Sequence, residues 1–220
     1  TGNSKTLTSM IISGHDRQHG GHLVSSGKLF SVRRIELDHE YIVVLLTDAG
    51  DHTLVRDPLT GALHRESLDK IAMSLLSEAS DLNKIICFLF IDLDEFKEVN
   101  DNWGHEAGDV VLKKTVARIS DALREKDYCF RLGGDEFLVI LTEIKNRYHA
   151  GLIARRIIST ISEPILTYER SSVRIGASIG ISSYPSDGKY IDQLITRADE
   201  AMYKAKKLGK GNYQFYEMNG

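Results

Sequence analysis

The sequence predicts an α/β (α+β) fold in which helices flank one central sheet. Residues 85–91 are apolar without alternation, which is typical of a strand covered on both faces. At residues 133–136, Gly-Gly-Asp-Glu separates two β-favouring runs and predicts a tight hairpin, because the tract needs positive φ angles. From residue 85 onward, strand-like runs alternate with segments of helical periodicity. The compact arrangement is therefore a sheet with helices packed on it.

Composition restricts the class of protein. The chain has 220 residues, of which 42% are hydrophobic, enough for one full core and an accessory piece. A net charge of −3 offers no basic surface for a nucleic-acid polymer, so we expect none as a partner. Cys87 and Cys129 lie in apolar runs, which favours buried, inert thiols and a reducing, cytoplasmic compartment. No apolar run has the length of a membrane span, so we expect no membrane contact within this chain.

Residues 1–56 differ in composition from the rest of the chain. Residues 28–37 and 41–46 are predicted to be strands, joined by a polar turn at 38–40. A lone hairpin is marginal in water, so we expect that it either belongs to a truncated domain followed by a linker or packs on a partner. The chain begins without Met, and we expect a fragment of a longer protein that could be membrane-anchored. We place the second domain at residues 57–220.

The elements of the second domain follow in order. Residues 57–61, Asp-Pro-Leu-Thr-Gly, predict a turn, since proline fixes one φ angle and glycine relaxes another. Four segments then space their apolar residues as on one face of a helix. These are residues 65–80, 110–123, 148–161 and 191–208. Residues 102–109 are predicted to be a loop. Further strands are predicted at residues 173–181 and 213–216.

Two acids mark a candidate site. The apolar strand at 85–91 ends on Asp92, at the carboxyl end where ligands bind in open α/β sheets. Asp135 at the hairpin tip converges with Asp92 if the strands are neighbours. Two carboxylates and a backbone carbonyl suit Mg²⁺, which implies metal-assisted phosphoryl or nucleotidyl transfer. Taken singly, each acid has an ordinary explanation as a solvated strand end or turn.

Three ordered motifs carry a resemblance to a known family. They are Phe-Ile-Asp-Leu-Asp-Glu-Phe-Lys-Glu-Val-Asn at 90–100, Gly-His-Glu-Ala-Gly-Asp at 104–109 and Gly-Gly-Asp-Glu-Phe at 133–137. Together they resemble the GGDEF family of diguanylate cyclases, over residues 57–212. The resemblance implies a nucleotidyl-cyclase, polymerase-palm-like fold, with a central mixed sheet flanked by helices and a GGDEF β-hairpin.

The resemblance also implies a Mg²⁺ site, with Mn²⁺ as an alternative ion. The ligands it implies are Asp92, the carbonyl of Leu93, Asp135 and Glu136. Asp135 and Glu136 are also the expected catalytic residues. Glu136 either binds a second metal or assists deprotonation of the attacking 3′-hydroxyl, and the sequence does not separate these roles.

The family's substrate site has matching positions here as well. Asn100 and Asp109 match guanine-binding positions, and a carboxylate that accepts from guanine N1 and N2 rejects adenine. The implied phosphate-binding residues are Phe96, through the turn amides beside it, Lys97, Lys206 and Lys210. Many family members have Arg at the last position, so Lys210 replaces a planar fork with a point charge and we expect looser binding there.

Arg124 and Asp127 form an Arg-x-x-Asp tetrapeptide upstream of the hairpin. Such a tetrapeptide is common, and an exposed ion pair at a helix end is the default interpretation. Its offset matches the family's inhibitory product site, where Arg binds guanine acceptors or phosphate and Asp accepts from the guanine edge. We therefore expect feedback inhibition by cyclic di-GMP.

The resulting hypothesis is a diguanylate cyclase that condenses two GTP into cyclic di-GMP, releases pyrophosphate and acts as a homodimer. Residues 1–56 weakly resemble the closing strands of a PAS-type sensor domain. One alternative is a catalytically silent receptor for cyclic di-GMP or GTP. A second is an enzyme with a different product, against which Asp109 argues, and a structural interaction domain is more remote.

Overall fold

The computed structural model describes residues 21–25, 28–37, 41–166 and 172–217, and the chain divides between Thr53 and Leu54 into two units. The described part of the first unit is an antiparallel sheet in the order β1-β2-β3. Its strands are β1 (Gly21–Ser25), β2 (Lys28–Leu37) and β3 (Tyr41–Thr53). The strand predicted at 41–46 thus continues to Thr53. The turn predicted at 38–40 lies outside the described residues.

The second unit has the predicted α/β architecture, with helices on both sides of a central sheet. Its elements are β4 (Leu63–His64), α1 (Leu68–Leu82), β5 (Ile85–Asp94), α2 (Phe96–Asp121), β6 (Tyr128–Gly133), β7 (Glu136–Ile144), α3 (Arg147–Ile161), β8 (Ile165–Leu166), β9 (Ser172–Val173), β10 (Gly176–Tyr184), α4 (Ile191–Lys207) and β11 (Tyr213–Phe215). Within the described residues the central sheet has the order β11-β10-β5-β7-β6-β4. The β10–β11 and β4–β6 pairs are parallel and the others antiparallel, so the sheet is mixed.

β5 lies in the middle of this sheet and is buried on both faces, as its unbroken apolar run predicts. Its odd-numbered side chains from Cys87 to Leu93 pack into a core that includes residues of α2 and α3. Its even-numbered side chains from Ile86 to Phe90 pack into a second core with α1 and α4. Since side chains alternate along a strand, Asp92 and Asp94 continue the face that α4 covers.

The prediction of a loop at residues 102–109 is wrong except at Gly104. The stretch is helical on both sides of Gly104, and α2 runs across it with a kink at that residue, where φ is 78° and ψ is 165°. The abundance of Gly and polar residues explains the wrong prediction. Gly104 supplies the conformation that bends the helix. Gly108 is buried instead, and a β-carbon there would overlap the Asn100 side chain.

The strand predicted at 173–181 is divided in the structure. Ser172–Val173 forms β9 and pairs with β8, and the ladder with β5 begins only at Gly176. Within β10, Gly180 allows a close approach of the α4 backbone. A β-carbon at Gly180 would overlap the carbonyl of Ala198 and the amide of Met202, so α4 lies directly on the strand.

Within the described part of the chain, no helix has both the length and the apolar character needed to cross a lipid bilayer.

Candidate active site

The pairing of β5 with β7 brings the two predicted acidic corners together. Asp92 lies directly opposite Glu136 in this ladder, and the Leu93 amide donates to the Asp135 carbonyl at 3.3 Å. Side chains directly opposite each other on antiparallel strands have β-carbons about 4.5–5.5 Å apart. The turn before Glu136 uses Gly133 and Gly134 at φ angles of 154° and 51°, which explains its glycines. The strand end and the hairpin tip therefore meet.

A lysine from α4 completes this corner. Lys206 Nζ lies 2.7 Å from Asp92 Oδ1. Burial raises the pKa of Asp92, the Lys206 charge lowers it, and the charges of Asp135 and Asp94 raise it again, so that the net direction is upward. The acid at the end of β5 is thus partly desolvated and, besides its contact with Lys206, lies near the like charges of Asp135 and Asp94. This environment favours a cation.

Glu136 belongs to the same electrostatic group although its side chain is exposed at the hairpin tip. Partial desolvation raises its pKa, and the charges of Asp92, Asp135 and Asp199 add to the rise. Asp199 lies on α4, and burial together with the neighbouring Glu200 raises its own pKa. The sequence did not single out Asp199, because acids are common on the polar face of a helix and only the packing of α4 places it here.

The chemistry of these donors fits Mg²⁺ or Mn²⁺. The carboxylates of Asp92, Asp135 and Glu136 and the carbonyl of Leu93 are all hard oxygen ligands. The mutual repulsion of the acids is only partly offset by Lys206, which leaves negative charge for a divalent ion to neutralise. Among the described residues, no three His, Cys, Asp or Glu side chains are arranged as a ready-made metal site. The ligand set therefore remains a prediction.

The start of α2 adjoins the end of β5. Glu95 occupies the position before the helix with φ 62°, and Phe96 is buried while Lys97 is exposed. The first amides of a helix have no intrahelical partner and attract anions. The structure thus makes the backbone at Phe96, rather than its ring, the group that is suited to a phosphate.

The predicted guanine-binding residues flank the kink of α2. Asn100 precedes Gly104, and Asp109 follows it with an exposed side chain. The Asn100 amide packs against Gly108, the residue before Asp109. The kink therefore brings the two predicted positions close together on one helix.

Lys210 lies in the turn that follows α4. Its Nζ is 2.8 Å from Glu95 Oε1. Lys210 adopts φ 58° between Gly209 and Gly211, which are also at positive φ. Lys206 and Lys210, which are both predicted to bind phosphate, thus pair with Asp92 and Glu95 at the junction of β5 and α2.

Arg131 lies next to the acidic corner, and the sequence predicts no role for it. Its guanidinium donates to the Gly134 carbonyl from Nε at 3.1 Å and Nη2 at 2.8 Å, and from Nη1 to Asp57 Oδ1 at 3.1 Å. Burial alone would raise the pKa of Asp57, but hydrogen bonds from Thr60 and the Arg131 charge hold it below its usual range. Arg131 therefore connects the first turn of the domain to the hairpin tip.

Arg124 and Asp127 lie at the opposite end of the β6–β7 hairpin from the acidic corner. Arg124 is exposed. The Asp127 carboxylate accepts from the amides of Arg124 and Thr142, both at 3.0 Å. Asp127 thus stabilises the turn into β6. Of these two residues, only Arg124 has an exposed side chain.

Comparisons with known proteins identify the family. A family model described as diguanylate cyclase, GGDEF domain, matches residues 54–212. In Pseudomonas aeruginosa, the bifunctional diguanylate cyclase/cyclic di-GMP phosphodiesterase MucR of strain PAO1 is 40% identical over 163 residues, covering 74% of this chain and 24% of MucR. Diguanylate cyclase TpbB of strain UCBPP-PA14 is 39% identical over 168 residues, covering 76% of this chain and 39% of TpbB.

A solved structure agrees with these relatives. The isolated GGDEF domain of TpbB from P. aeruginosa PAO1 superposes with a TM-score of 0.74 at 38% identity, covering 75% of this chain and 96% of that domain. The match spans less than two thirds of the full length of MucR or TpbB. On this sequence and structural similarity, the chain belongs to the GGDEF-domain family of diguanylate cyclases.

Proposed function

We propose that this chain carries a diguanylate cyclase domain that condenses two GTP into cyclic di-GMP and releases pyrophosphate. The observation that most supports it is the β5–β7 register, in which Asp92 lies opposite Glu136 and beside the Asp135 backbone. The curated relative TpbB is named as a diguanylate cyclase. Because the reaction consumes GTP, we place the domain in the cytoplasm.

The acidic corner would hold the metal. Asp92 and Asp135 would contribute carboxylates and Leu93 its carbonyl, and Glu136 would serve either as a further ligand or as the proton acceptor. When bound, Mg²⁺ or Mn²⁺ would neutralise phosphate charge and assist ionisation of the nucleophile. Lys206, which contacts Asp92 in this structure, would be available to contact a terminal phosphate.

The reaction requires one proton acceptor per bond formed. The 3′-hydroxyl of each GTP attacks the α-phosphorus of the other, its proton leaves, and the bond to pyrophosphate breaks. Glu136, whose pKa is raised by partial desolvation and neighbouring acids, is the candidate acceptor if it does not serve as a ligand. Asp135 would be a metal ligand in either case.

The remaining predicted residues bind the nucleotide. Asn100 and Asp109 read the guanine edge on the two sides of the α2 kink. The phosphates lie against the amides at Phe96, with Lys97, Lys206 and Lys210 supplying positive charge. Asp109 makes adenine a poor substitute because adenine lacks the N1 and N2 donor pair.

A two-fold symmetric product favours a two-fold symmetric enzyme. Each domain would hold one GTP, and two domains would face each other as a homodimer. We interpret residues 1–56 as a remnant of a PAS-type sensor and its linker. The complete sensor domain would control how two cyclase domains meet. Arg124 and Asp127 would bind the product and inhibit further turnover.

The experiment that tests this function is chromatography of the products formed from GTP and Mg²⁺. We expect cyclic di-GMP and pyrophosphate from the natural sequence, and no dinucleotide from Asp135→Asn or Glu136→Gln. Glu143→Gln is the matched control, since Glu143 lies at the other end of β7 and binds Lys84 and Lys126. Mixed ATP and GTP should yield only the guanine product.

The same assay separates the alternatives. A protein that binds cyclic di-GMP or GTP in equilibrium dialysis but forms no product is a receptor. Adenine-containing products would indicate an enzyme of different specificity.

A further inference from the structure

We propose that Asp94 is a positioning residue that holds the turn Gly209-Lys210-Gly211, and with it the Lys210 ammonium, beside the acidic end of β5. The effect on nucleotide binding rests on the proposed function, in which Lys210 contacts a terminal phosphate. The positioning of the turn does not.

The Asp94 carboxylate is buried and both of its oxygens are engaged. The residue is 8% exposed. Oδ1 accepts from Ser178 Oγ at 2.7 Å, and Oδ2 accepts from the Gly211 amide at 2.9 Å. A buried carboxylate is tolerated only with such partners. Asp94 therefore connects three separate segments: the end of β5, the first part of β10, and the turn after α4.

The neighbouring strand is shaped to allow this reach. Gly176 lies opposite Asp94 in the β5–β10 ladder. A β-carbon at Gly176 would lie 2.7 Å from Asp94 Oδ2, closer than real β-carbons come to a neighbouring atom. Glycine at this position thus leaves room for the carboxylate to extend toward Gly211.

The turn itself needs an external support. Gly209, Lys210 and Gly211 have φ angles of 115°, 58° and 58°. A non-glycine residue in the left-handed region persists only where its surroundings hold it there. One support comes from Asn212 Nδ2, which donates to the carbonyls of Ala205 and Lys210, each at 2.9 Å. The Gly209 and Lys210 amides also donate to the carbonyls of Lys206 and Ala205, each at 3.3 Å. Asp94 adds the contact that holds the Gly211 amide.

The position of the Lys210 ammonium follows from that of the turn. Its Nζ lies 2.8 Å from Glu95 Oε1, and both residues line a cavity of about 440 Å³ together with Asp94, Arg174 and Gly211. A lysine is a point charge on a flexible stem, so its reach depends on where the backbone places it. If the Gly211 amide is released, the turn relaxes and Lys210 moves away from the phosphate position.

The test compares Asp94→Ala and Asp94→Asn with a matched control. Alanine removes both contacts, whereas asparagine keeps an oxygen for the Gly211 amide. Ser178→Ala removes the contact to Oδ1 and leaves the contact to the Gly211 amide. We expect Asp94→Ala to raise the KM for GTP about tenfold, the effect of one lost charge-assisted hydrogen bond, with a much smaller change in kcat. Asp94→Asn and Ser178→Ala should stay within about threefold of the natural protein.

A second background shows whether the effect passes through Lys210. In a Lys210→Ala protein, Asp94→Ala should not raise the KM further, because the group it positions is gone. An equal rise in both backgrounds overturns the proposal.

A third measurement needs no nucleotide. Amide hydrogen exchange of Gly211 in the protein alone should be at least about tenfold faster in Asp94→Ala than in the natural sequence, and nearly unchanged in Ser178→Ala. Unchanged exchange in Asp94→Ala overturns the proposal even if activity falls.

A natural protein that does not turn over GTP refutes the proposed function, and the exchange measurement still decides the role of Asp94. Should Asp94→Ala not fold, Gly176→Ala displaces the same carboxylate by contact and is expected to give the same rise in exchange.

Discussion

Lys206 Nζ lies 2.7 Å from Asp92 Oδ1, so the acid at the end of β5 is paired with a cation from α4. The two side chains are 31% and 12% exposed, which shields the pair more than a typical surface ion pair. The contact joins the predicted metal-binding strand to the predicted phosphate-binding helix. We interpret Lys206 as a charge that can serve either the acid or a phosphate.

Replacing Lys206 tests this interpretation. Lys206→Ala should lower kcat/KM for GTP by roughly 10- to 100-fold, since a hydrogen bond to a charged group contributes about 1.5–3 kcal/mol. Initial rates of product formation measure the effect. Lys207→Ala is the control, because Lys207 points at the Tyr203 ring, 4.4 Å from its centroid, and should change the rate less than about twofold. Equal losses in both variants would count against a specific role.

The sequence predicts features that depend on neighbouring residues in the chain. It does not predict features that depend on contacts between residues far apart in the chain. Asp92 was found because a buried strand that ends in a carboxylate is a local pattern. The segment 102–109 was misassigned because local composition favoured a loop, whereas packing of α2 kept it helical on both sides of Gly104. The contact between Arg131 and Asp57 joins residues 74 positions apart, and no local pattern predicts such a pair.

The Asp57–Arg131 pair should stabilise the domain in a pH-dependent way. The pKa of Asp57 is held below its usual range in the folded state. Its stabilising contribution is therefore complete above the unfolded pKa of about 4, and it is lost as the pH falls through the lower, folded pKa. Asp57→Asn should lower the free energy of unfolding by about 1–3 kcal/mol at pH 7, and by less near pH 3. Urea denaturation at both pH values measures this difference.

An exposed acid provides the comparison for that experiment. Asp101 lies on the solvent side of α2, and Asp101→Asn should change the free energy of unfolding by less than about 0.5 kcal/mol. A loss in Asp57→Asn that is constant from pH 7 to pH 3 would show that the Asp57 charge is not the stabilising feature.

Gly180 is predicted to be among the positions least tolerant of a side chain. A methyl group there would overlap backbone atoms of Ala198 and Met202, and backbone cannot move aside as a flexible side chain can. Gly180→Ala should lower the free energy of unfolding by about 3 kcal/mol or more, because α4 must move off β10. Ser182→Ala, two residues along, removes only the hydrogen bond to the Leu194 carbonyl and should cost about 1 kcal/mol. Thermal unfolding of both variants checks the order.

Gly108 offers a test of the predicted guanine subsite. Gly108→Ala places a methyl group against the Asn100 amide and should force that amide out of position. We expect the KM for GTP to rise by about tenfold, as for one lost hydrogen bond to the base, with kcat less affected. In an Asn100→Ala background the same substitution should have almost no further effect on KM. A full effect in that background would show that Gly108 acts through the fold of α2 instead.

Arg124→Ala is the cleanest test of product inhibition. Asp127 is a poor target, because its carboxylate accepts from the amides of Arg124 and Thr142, and its removal would disturb the turn into β6. The exposed Arg124 side chain makes no such structural contact among the described residues.

In Arg124→Ala, the cyclic di-GMP concentration that halves the initial rate should rise at least tenfold, as expected for loss of a charged contact to the product. Lys126→Ala removes a cation two residues away that binds Glu143 at 2.9 Å, and it should leave that concentration unchanged. An Arg124→Ala inhibition curve that coincides with that of the natural protein would remove Arg124 from the product site and place any inhibition elsewhere on the domain.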